Sequence, residues 1–558
     1  MIDTRIDMMQ QGAYVMKSKM SKKEVQNQDV FSNICASIIS GVISFFMMLL
    51  VVVFPLIYDD GYANILATKY RYYWGFVVGL LSICLILSLI MMAIDIMEHR
   101  GSHVKALFSR LQPKHWKETF CFADAAVIVF WIILVISTLQ SDYFYEAFWG
   151  NEGRYTGLFL LTLYISVYFL VSRFWNMKGW VLELFLCTGM IMCLIGITDY
   201  FQMDVLGFRG PRGLLAEESA MYTSTVGNIN TYTAYAALLM AMSGAMFITA
   251  KKSSKIIWYY LCMVISFFAI ITGCSDNAYL ALGAFFGILP LVVFKTRTGI
   301  KRYLLMLATF FSVIQIIDWI NQSFSETVIG LDSLFRIIVN FGGLIYVVVL
   351  LWLIAAGIYY YDKRAGFVKE KAHPIFVKLW LGIIIITLVI VCGVFVDANF
   401  MGNSERYAGV GNYLVFNDNW GTNRGYIWRK AVELYRDFTP MHKLFGYGPD
   451  TFGILTTNEF RWEMLNTTSQ IFDNVHNEYL QYFVTIGPIG LIVYITFLLS
   501  AMVHMLRRIT VNPYIIGCSF AVICYAVQAL VNLNLPIATP IMWLLLSIGM
   551  AACKKEKA

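Results

Sequence analysis

Two polar constellations in this very apolar chain have the residue types that do chemistry. The first lies in FDNVHNEYLQYFVTIGPIGLIVY, Phe472 to Tyr494, where His476 and Glu478 run directly into an apolar helix. Imidazole exchanges protons near neutral pH without perturbation, so His476 could serve as a general base toward a hydroxyl. Glu478 stands two residues on and in a regular helix points away from it, so either the two sit in a turn or one alone touches the reacting group. The plainer alternative is an interfacial histidine that caps or orients a loop, with Asp473 or Asn474 as the cap of the helix that follows.

The second constellation is arginine: Arg209, Arg212, Arg336, Arg424 and Arg429. A guanidinium is planar, permanently charged and donates two parallel hydrogen bonds, which suits it to phosphate. The plainer reading is ion pairing with Glu217, Glu218 or Glu433. The turn CSDNAY, Cys274 to Tyr279, can add polar groups to the same mouth. Asp124, Glu183 and Asp318 lie within apolar runs, where carboxylates are functional candidates by default. Asp124 and Glu183 stand near the inner ends of their runs, where snorkelling to the interface accounts for them.

These residues must be held by membrane helices. Of 558 residues 59% are hydrophobic and 14% charged, and the mean hydropathy is +0.66, too apolar for a water-soluble domain of this size. Apolar runs long enough to cross a bilayer recur at approximately 34–57, 73–95, 122–139, 156–173, 179–198, 229–249, 256–273, 277–294, 303–320, 337–359, 375–396, 481–503, 513–531 and 536–552. The expected class is therefore an all-α polytopic membrane protein with about 14 transmembrane helices. With an inside N-terminus, the inner segments hold 29 of the 42 Lys and Arg, and the outer ones hold 13 against 23 carboxylates. The formal charge of +7 thus follows the positive-inside rule, and nucleic acid is not an expected partner. Both termini are expected in the cytoplasm, with no cleaved signal peptide.

The expected organisation is a cytoplasmic segment 1–33, transmembrane helices over 34–397, a large extracytoplasmic loop 398–480, further transmembrane helices over 481–552 and a tail 553–558. A loop of that length is a small domain in itself. Within it GTNRGYIWRKAVELYRDF places Ile427 or Trp428, Ala431, Leu434 or Tyr435, and Phe438 at helical spacing, with Thr422 or Asn423 as a possible cap. Arg429, Lys430, Glu433 and Arg436 fall largely on another face, so the helix reads as amphipathic, lying on the membrane or the bundle. Gly446, Gly448 and Pro449 then force a turn. The eleven cysteines show no CxxC spacing, and only His442 and His476 of seven histidines lie outside, so neither a disulfide framework nor a metal centre is expected.

The run RGYIWRKAVELYRDFTPMHKLFGYGPDTF, followed by VHNEYLQYFVTIGPIGLIVY, resembles the O-antigen ligase and polymerase superfamily of bacterial envelope glycosyltransferases. The shared pattern is R-x-x-x-W, G-x-G-x-x-x-F, H-N-x-x-L and G-x-x-G-L, in that order. EGRYTGLF and TSTVGNINTYTAYAALL extend the likeness upstream, the latter with Asn228 and Asn230 at the start of a span. The resemblance implies a GT-C-like fold and a glycan moved from an undecaprenyl-diphosphate-linked donor onto a glycan, lipid or protein acceptor. It places the reaction at the outer face of the bacterial cytoplasmic membrane, without nucleotide sugar, metal or other cofactor. It makes His476 the essential histidine and Arg424 the arginine before the Trp428 helix, with Asn477 beside them and Glu478 orienting or assisting. One departure stands out: where the family often has Ser-Arg-Gly, this chain reads Ser275, Asp276, Asn277, so that Arg209, Arg212 or Arg336 would have to supply the missing charge.

The expected activity is a metal-independent, inverting transfer by a polymerase or a ligase, which differ in acceptor alone. The rival from another class is a flippase for the same lipid-linked sugars. A transporter concentrates charge at the midplane, keeps its loops short and repeats its halves, whereas this chain puts its longest loop and its candidate chemistry outside.

Overall fold

The computed structural model describes residues 30–554, except 60, 61, 63, 111, 117–119, 209–220, 332 and 366–369. Arg209 and Arg212, with Glu217 and Glu218, lie outside the described residues. Ten helices among the described residues are long and apolar enough to cross a membrane, and four shorter apolar ones, Leu158–Phe174, Asn277–Val293, Ile515–Val531 and Thr539–Ala552, complete the series read from the sequence. The protein is an all-α, multi-pass membrane protein.

Lipid offers no hydrophobic drive for one helix to bury another, so close approach selects small residues. The central helix Ile229–Thr249 has the lowest hydropathy of the ten candidate spans, 1.4, and is wholly buried, whereas Ile375–Phe400 has the highest, 3.0, and buries none of its window. Small side chains make this possible: Gly244 packs under Phe285, and Gly189 and Gly196 of the neighbouring helix Trp180–Tyr200 receive Leu239 and Tyr232. Large apolar residues such as Leu379, Ile386 and Val389 instead point outward. A charge inside the bundle must be satisfied by protein. Lys69 is fully buried and donates to the carbonyls of Phe54 and Pro55 at 2.8 and 2.7 Å, where a helix ends. Asp124 corrects the snorkelling expectation. It is fully buried, ion-paired with Arg173, and accepts from the Tyr168 hydroxyl at 2.8 Å.

Two spans differ from the sequence reading because glycine interrupts them. The run 337–359 divides into Ser333–Asn340 and Leu344–Ala365 at Gly342, whose φ is +68°. The run 481–503 divides into Glu478–Thr485 and Gly487–Leu506, where Gly487 has φ +73° and Pro488 follows.

Residues 401–477 fold on one end of the bundle around a second core, which joins Tyr426, Ile427, Ala431, Leu434 and Phe438 of the helix Trp420–Asp437 to Phe452, Phe460, Met464, Phe472 and Val475. The stripe Ile427, Ala431, Leu434, Phe438 is thus a core face. Lys430 does not sit on the solvated face: it is buried between Glu433 and Glu463, at 2.9 and 2.7 Å, over the Phe460 ring. Thr422 and Asn423 do not cap the helix either, because residues 421–423 are all left-handed.

The Gly446–Gly448 turn locks this layer to the broken span. Gly448 N–H donates to the Thr485 carbonyl at 2.8 Å, and the Gln140 amide donates to the Gly446 carbonyl at 2.8 Å. A Cβ on Gly487 would meet the Leu444 carbonyl oxygen at 2.2 Å, and one on Gly446 would meet the Thr485 carbonyl carbon at 2.2 Å. Both glycines have φ +73°, so alanine adds strain to the clash. Gly487→Ala is expected to destabilise the protein by more than about 2 kcal/mol. An unchanged thermal unfolding midpoint in detergent would sink that expectation.

Candidate active site

His476 sits where the 401–477 layer re-enters the bundle, and its position is imposed by neighbours. The Trp428 indole N–H donates to the Val475 carbonyl at 3.0 Å, and the Val475 N–H donates to the Gln481 side chain at 3.2 Å. His476 N–H itself donates to the Asn474 side chain at 3.0 Å. Gripped on both sides, His476 adopts φ +55°, a left-handed conformation that a side chain other than glycine rarely takes unless its surroundings enforce it. Asn477 then returns to extended backbone and caps the next helix, its side chain accepting from the N–H groups of Tyr479 and Leu480, both at 3.0 Å. Asn477 is therefore the cap that the sequence reading gave to Asp473 or Asn474.

Asp473 has a different task. It takes a two-point ion pair from Arg154, at 2.7 and 3.0 Å. Arg154 belongs to the tight loop NEGRYTG, whose Asn151 and Thr156 N–H groups both donate to one Asp450 oxygen, at 2.7 and 2.9 Å. Burial raises the Asp450 carboxyl to about 6, against the pull of those N–H groups and of Arg154. The GRYTG loop, Asp450 and Asp473 thus brace the histidine from the side opposite Trp428.

One helix turn from Trp428 on the same face stands Arg424. Its guanidinium is largely withdrawn from solvent, which holds its pKa below the ordinary arginine value, and the nearby Asp276 partly opposes this. It donates to the Gly421 carbonyl at 3.2 Å and to Asn277 at 3.4 Å, while its Nε–H has no hydrogen-bond partner. Burial of the ring, together with the guanidinium groups of Arg424 and Arg154, pushes His476 down to about 3, although Asp473 pulls the other way. The imidazole is therefore neutral at physiological pH, as a proton acceptor must be.

The CSDNAY turn lies beneath Arg424. Asp276 accepts from the Tyr413 hydroxyl at 2.8 Å, and Ser275 donates to Asn230 at 2.7 Å. Asn228 caps the central helix by accepting from the Asn230 N–H at 2.9 Å. Tyr279 accepts from the first N–H groups of Ser333–Asn340 at 3.2 and 3.4 Å, so the short helix bearing Arg336 borders the same turn. Arg336 is exposed, with hydrogen bonds to the Leu331 carbonyl at 3.1 and 3.2 Å. Arg429 is spent on Asp418, in a two-point pair at 2.7 and 3.1 Å. Beside Trp428 the rings of Trp420 and Phe416 form a partly exposed aromatic cluster, 5.0 and 6.3 Å away between centroids.

Glu478 does not join His476. Its carboxylate turns into the bundle and accepts from the hydroxyls of Tyr494 and Tyr525, at 2.7 and 3.3 Å. It anchors the helix that follows the histidine. Of the residues singled out by sequence, His476, Trp428 and Arg424 converge, with Asn230 and Asp276 beneath and Asn228 and Asn477 as caps.

Residues 332–495 match the family described as O-antigen ligase. Over this stretch the chain is similar to the O-antigen ligase family. No curated protein matches the chain. The matched stretch covers under a third of the sequence and contains Arg336, Arg424, Trp428 and His476, whereas Arg154, Asn230 and Asp276 reach the site from segments before it. Arg154 and Gln481 were not among the residues chosen from the sequence. GRYTG was visible as a family-like segment, but nothing in one sequence says that its arginine pairs with Asp473.

Proposed function

We propose that the protein transfers a glycan from an undecaprenyl-diphosphate-linked donor to an acceptor hydroxyl at the outer face of the bacterial cytoplasmic membrane, as a polysaccharide polymerase or an O-antigen ligase-like enzyme. The observation that carries this reading is the Trp428–Val475 hydrogen bond, which ties the Arg424 helix to the backbone of His476. It couples a cation with an uncommitted donor to a neutral base.

In the reaction, the acceptor oxygen attacks the anomeric carbon while His476 takes the acceptor proton. The carbon–oxygen bond to the diphosphate breaks on the opposite face, which inverts the anomeric centre. The leaving diphosphate carries off the electron pair, and guanidinium groups stabilise its charge without a metal. Arg424 is the partly buried donor in this scheme and Arg336 the exposed one, with Arg209 and Arg212 as further candidates. The donor also tunes the base. Arg424 depresses His476 while the phosphate site is empty, and a bound dianion offsets that field, so the imidazole becomes more basic when there is a donor to attack. The Phe416, Trp420 and Trp428 rings offer flat apolar faces for a sugar.

The test is to incubate the purified protein with a lipid-linked oligosaccharide from its host, following glycan length and released undecaprenyl diphosphate by mass spectrometry. A ladder of products identifies a polymerase, and one fixed transfer identifies a ligase. Absence of product with a verified substrate, together with movement of the sugar lipid across liposomes, would replace the transferase by a transporter.

A further inference from the structure

The helices that hold the active site end, at the opposite face of the bundle, in a second polar site. Leu158–Phe174 begins just after the GRYTG loop and ends at Arg173, and Gly487–Leu506 begins at the Gly446 turn and is followed by Arg508. Between these ends lies a cavity of about 290 Å³, at the small end of ligand-binding cavities. Its walls include Ser172, Arg173, His504, Arg508 and Lys554, with Asp124 at its base.

Its charge is lopsided. Arg173, Arg508 and Lys554 bring three cations against one carboxylate among the described lining residues, and Asp124 is already engaged by Arg173 and by the Tyr168 hydroxyl. Lys554 donates to the Arg173 carbonyl at 2.6 Å, and Arg508 lies against the His504 ring at 2.7 Å, so neither meets an anion there. Two buried polar atoms in the wall, Ser172 Oγ and Arg173 Nε, have no hydrogen-bond partner. A buried donor left unmade costs about 1–3 kcal/mol, so two beside one cavity point to an acceptor that occupies it. Arg508 and Lys554 are exposed, which opens the cavity to the surface.

We infer that this cavity binds a phosphate group, either a free ion or the headgroup of an anionic phospholipid, held by Arg173, Arg508, Lys554 and the Ser172 hydroxyl. A tetrahedral oxyanion has enough acceptor positions to satisfy Ser172 Oγ–H and Arg173 Nε–H while its charge offsets the cations. The volume suits a headgroup-sized ion, with any acyl chains lying outside against the apolar helices. The site is independent of the glycan chemistry, and its occupancy would stabilise the ends of two helices that position His476.

The experiment uses the full chain in two arms. In detergent, the thermal midpoint is measured with and without inorganic phosphate at constant ionic strength. In nanodiscs, phosphatidylglycerol is compared with phosphatidylcholine, and retained lipid is counted by native mass spectrometry. Stabilisation by phosphate alone assigns a soluble ion, and stabilisation with retention of phosphatidylglycerol alone assigns a lipid. Arg508→Gln should weaken the effect about tenfold. Arg507→Gln removes the same charge one residue away, outside the cavity wall, and should leave it unchanged. Lys554→Gln should behave like Arg508→Gln. No stabilisation in either arm, or equal weakening by Arg507→Gln and Arg508→Gln, overturns the inference.

Discussion

His476→Ala is expected to lower the rate of glycan transfer by about 10²- to 10⁴-fold, the usual range for a positioned general base, and to leave the protein folded. The side chain is only partly buried, and the hydrogen bonds that fix this segment belong to the backbone of Val475 and His476, so its loss leaves the scaffold in place. Alanine in the left-handed conformation carries some strain, and His476→Asn, better suited to φ +55°, controls for it. Both variants should lose activity while keeping the wild-type thermal midpoint. Activity within threefold of wild type in either would remove His476 from the chemistry.

The pH profile separates this base from its neighbours. In the free enzyme Asp450, at about 6, takes up a proton well before His476, at about 3. An acid limb of kcat/KM near pH 6 should therefore disappear in Asp450→Asn. A limb near 6.5 that survives this substitution would belong to His476 and would contradict the guanidinium field assigned to it. The stability contributions run in opposite directions. The histidine is depressed on folding, so it costs stability as pH falls below its ordinary value of 6.5 toward 3. The Asp450 carboxyl is raised on folding, so what it contributes is present at low pH and is lost as pH rises through 6.

The spans were legible because lipid makes the signal blunt: a segment must be apolar for its full length or be sheltered by others. What the sequence could not show is where a helix pauses. Ile486–Gly487 reads as a continuous apolar run, and the break arises because Gly446, some forty residues upstream, presses its backbone into the gap. Among the candidate site residues, His476 and Arg424 were chosen by residue type and position and Trp428 by its place in the R-x-x-x-W pattern, and Glu478 was misleading because its proximity in sequence hid a change of backbone direction at His476. Lys430 looked like a surface charge because its two carboxylate partners and the ring beneath it come partly from a later helix. Arg154 was out of reach for the same reason, since pairing across three hundred residues leaves no mark on local pattern.

Arg424→Gln should reduce transfer by about 10²- to 10³-fold, as expected when one donor to a developing oxyanion is lost from a water-poor site. Its present bonds are weak ones, to a carbonyl at 3.2 Å and an amide at 3.4 Å, and its Nε–H is uncommitted, so binding a diphosphate would improve its satisfaction rather than trade one partner for another. Arg424→Lys tests whether charge alone suffices. A lysine keeps the cation but not the two-point fork, and should recover little of the lost rate. The decisive readout lies on the neighbour: without the guanidinium, His476 must become easier to protonate, and the shift should appear in the histidine titration of the glutamine variant but not of the lysine variant. If Arg424→Gln leaves both the rate and the His476 titration unchanged, Arg424 is a structural arginine and the diphosphate site belongs to Arg336, Arg209 or Arg212.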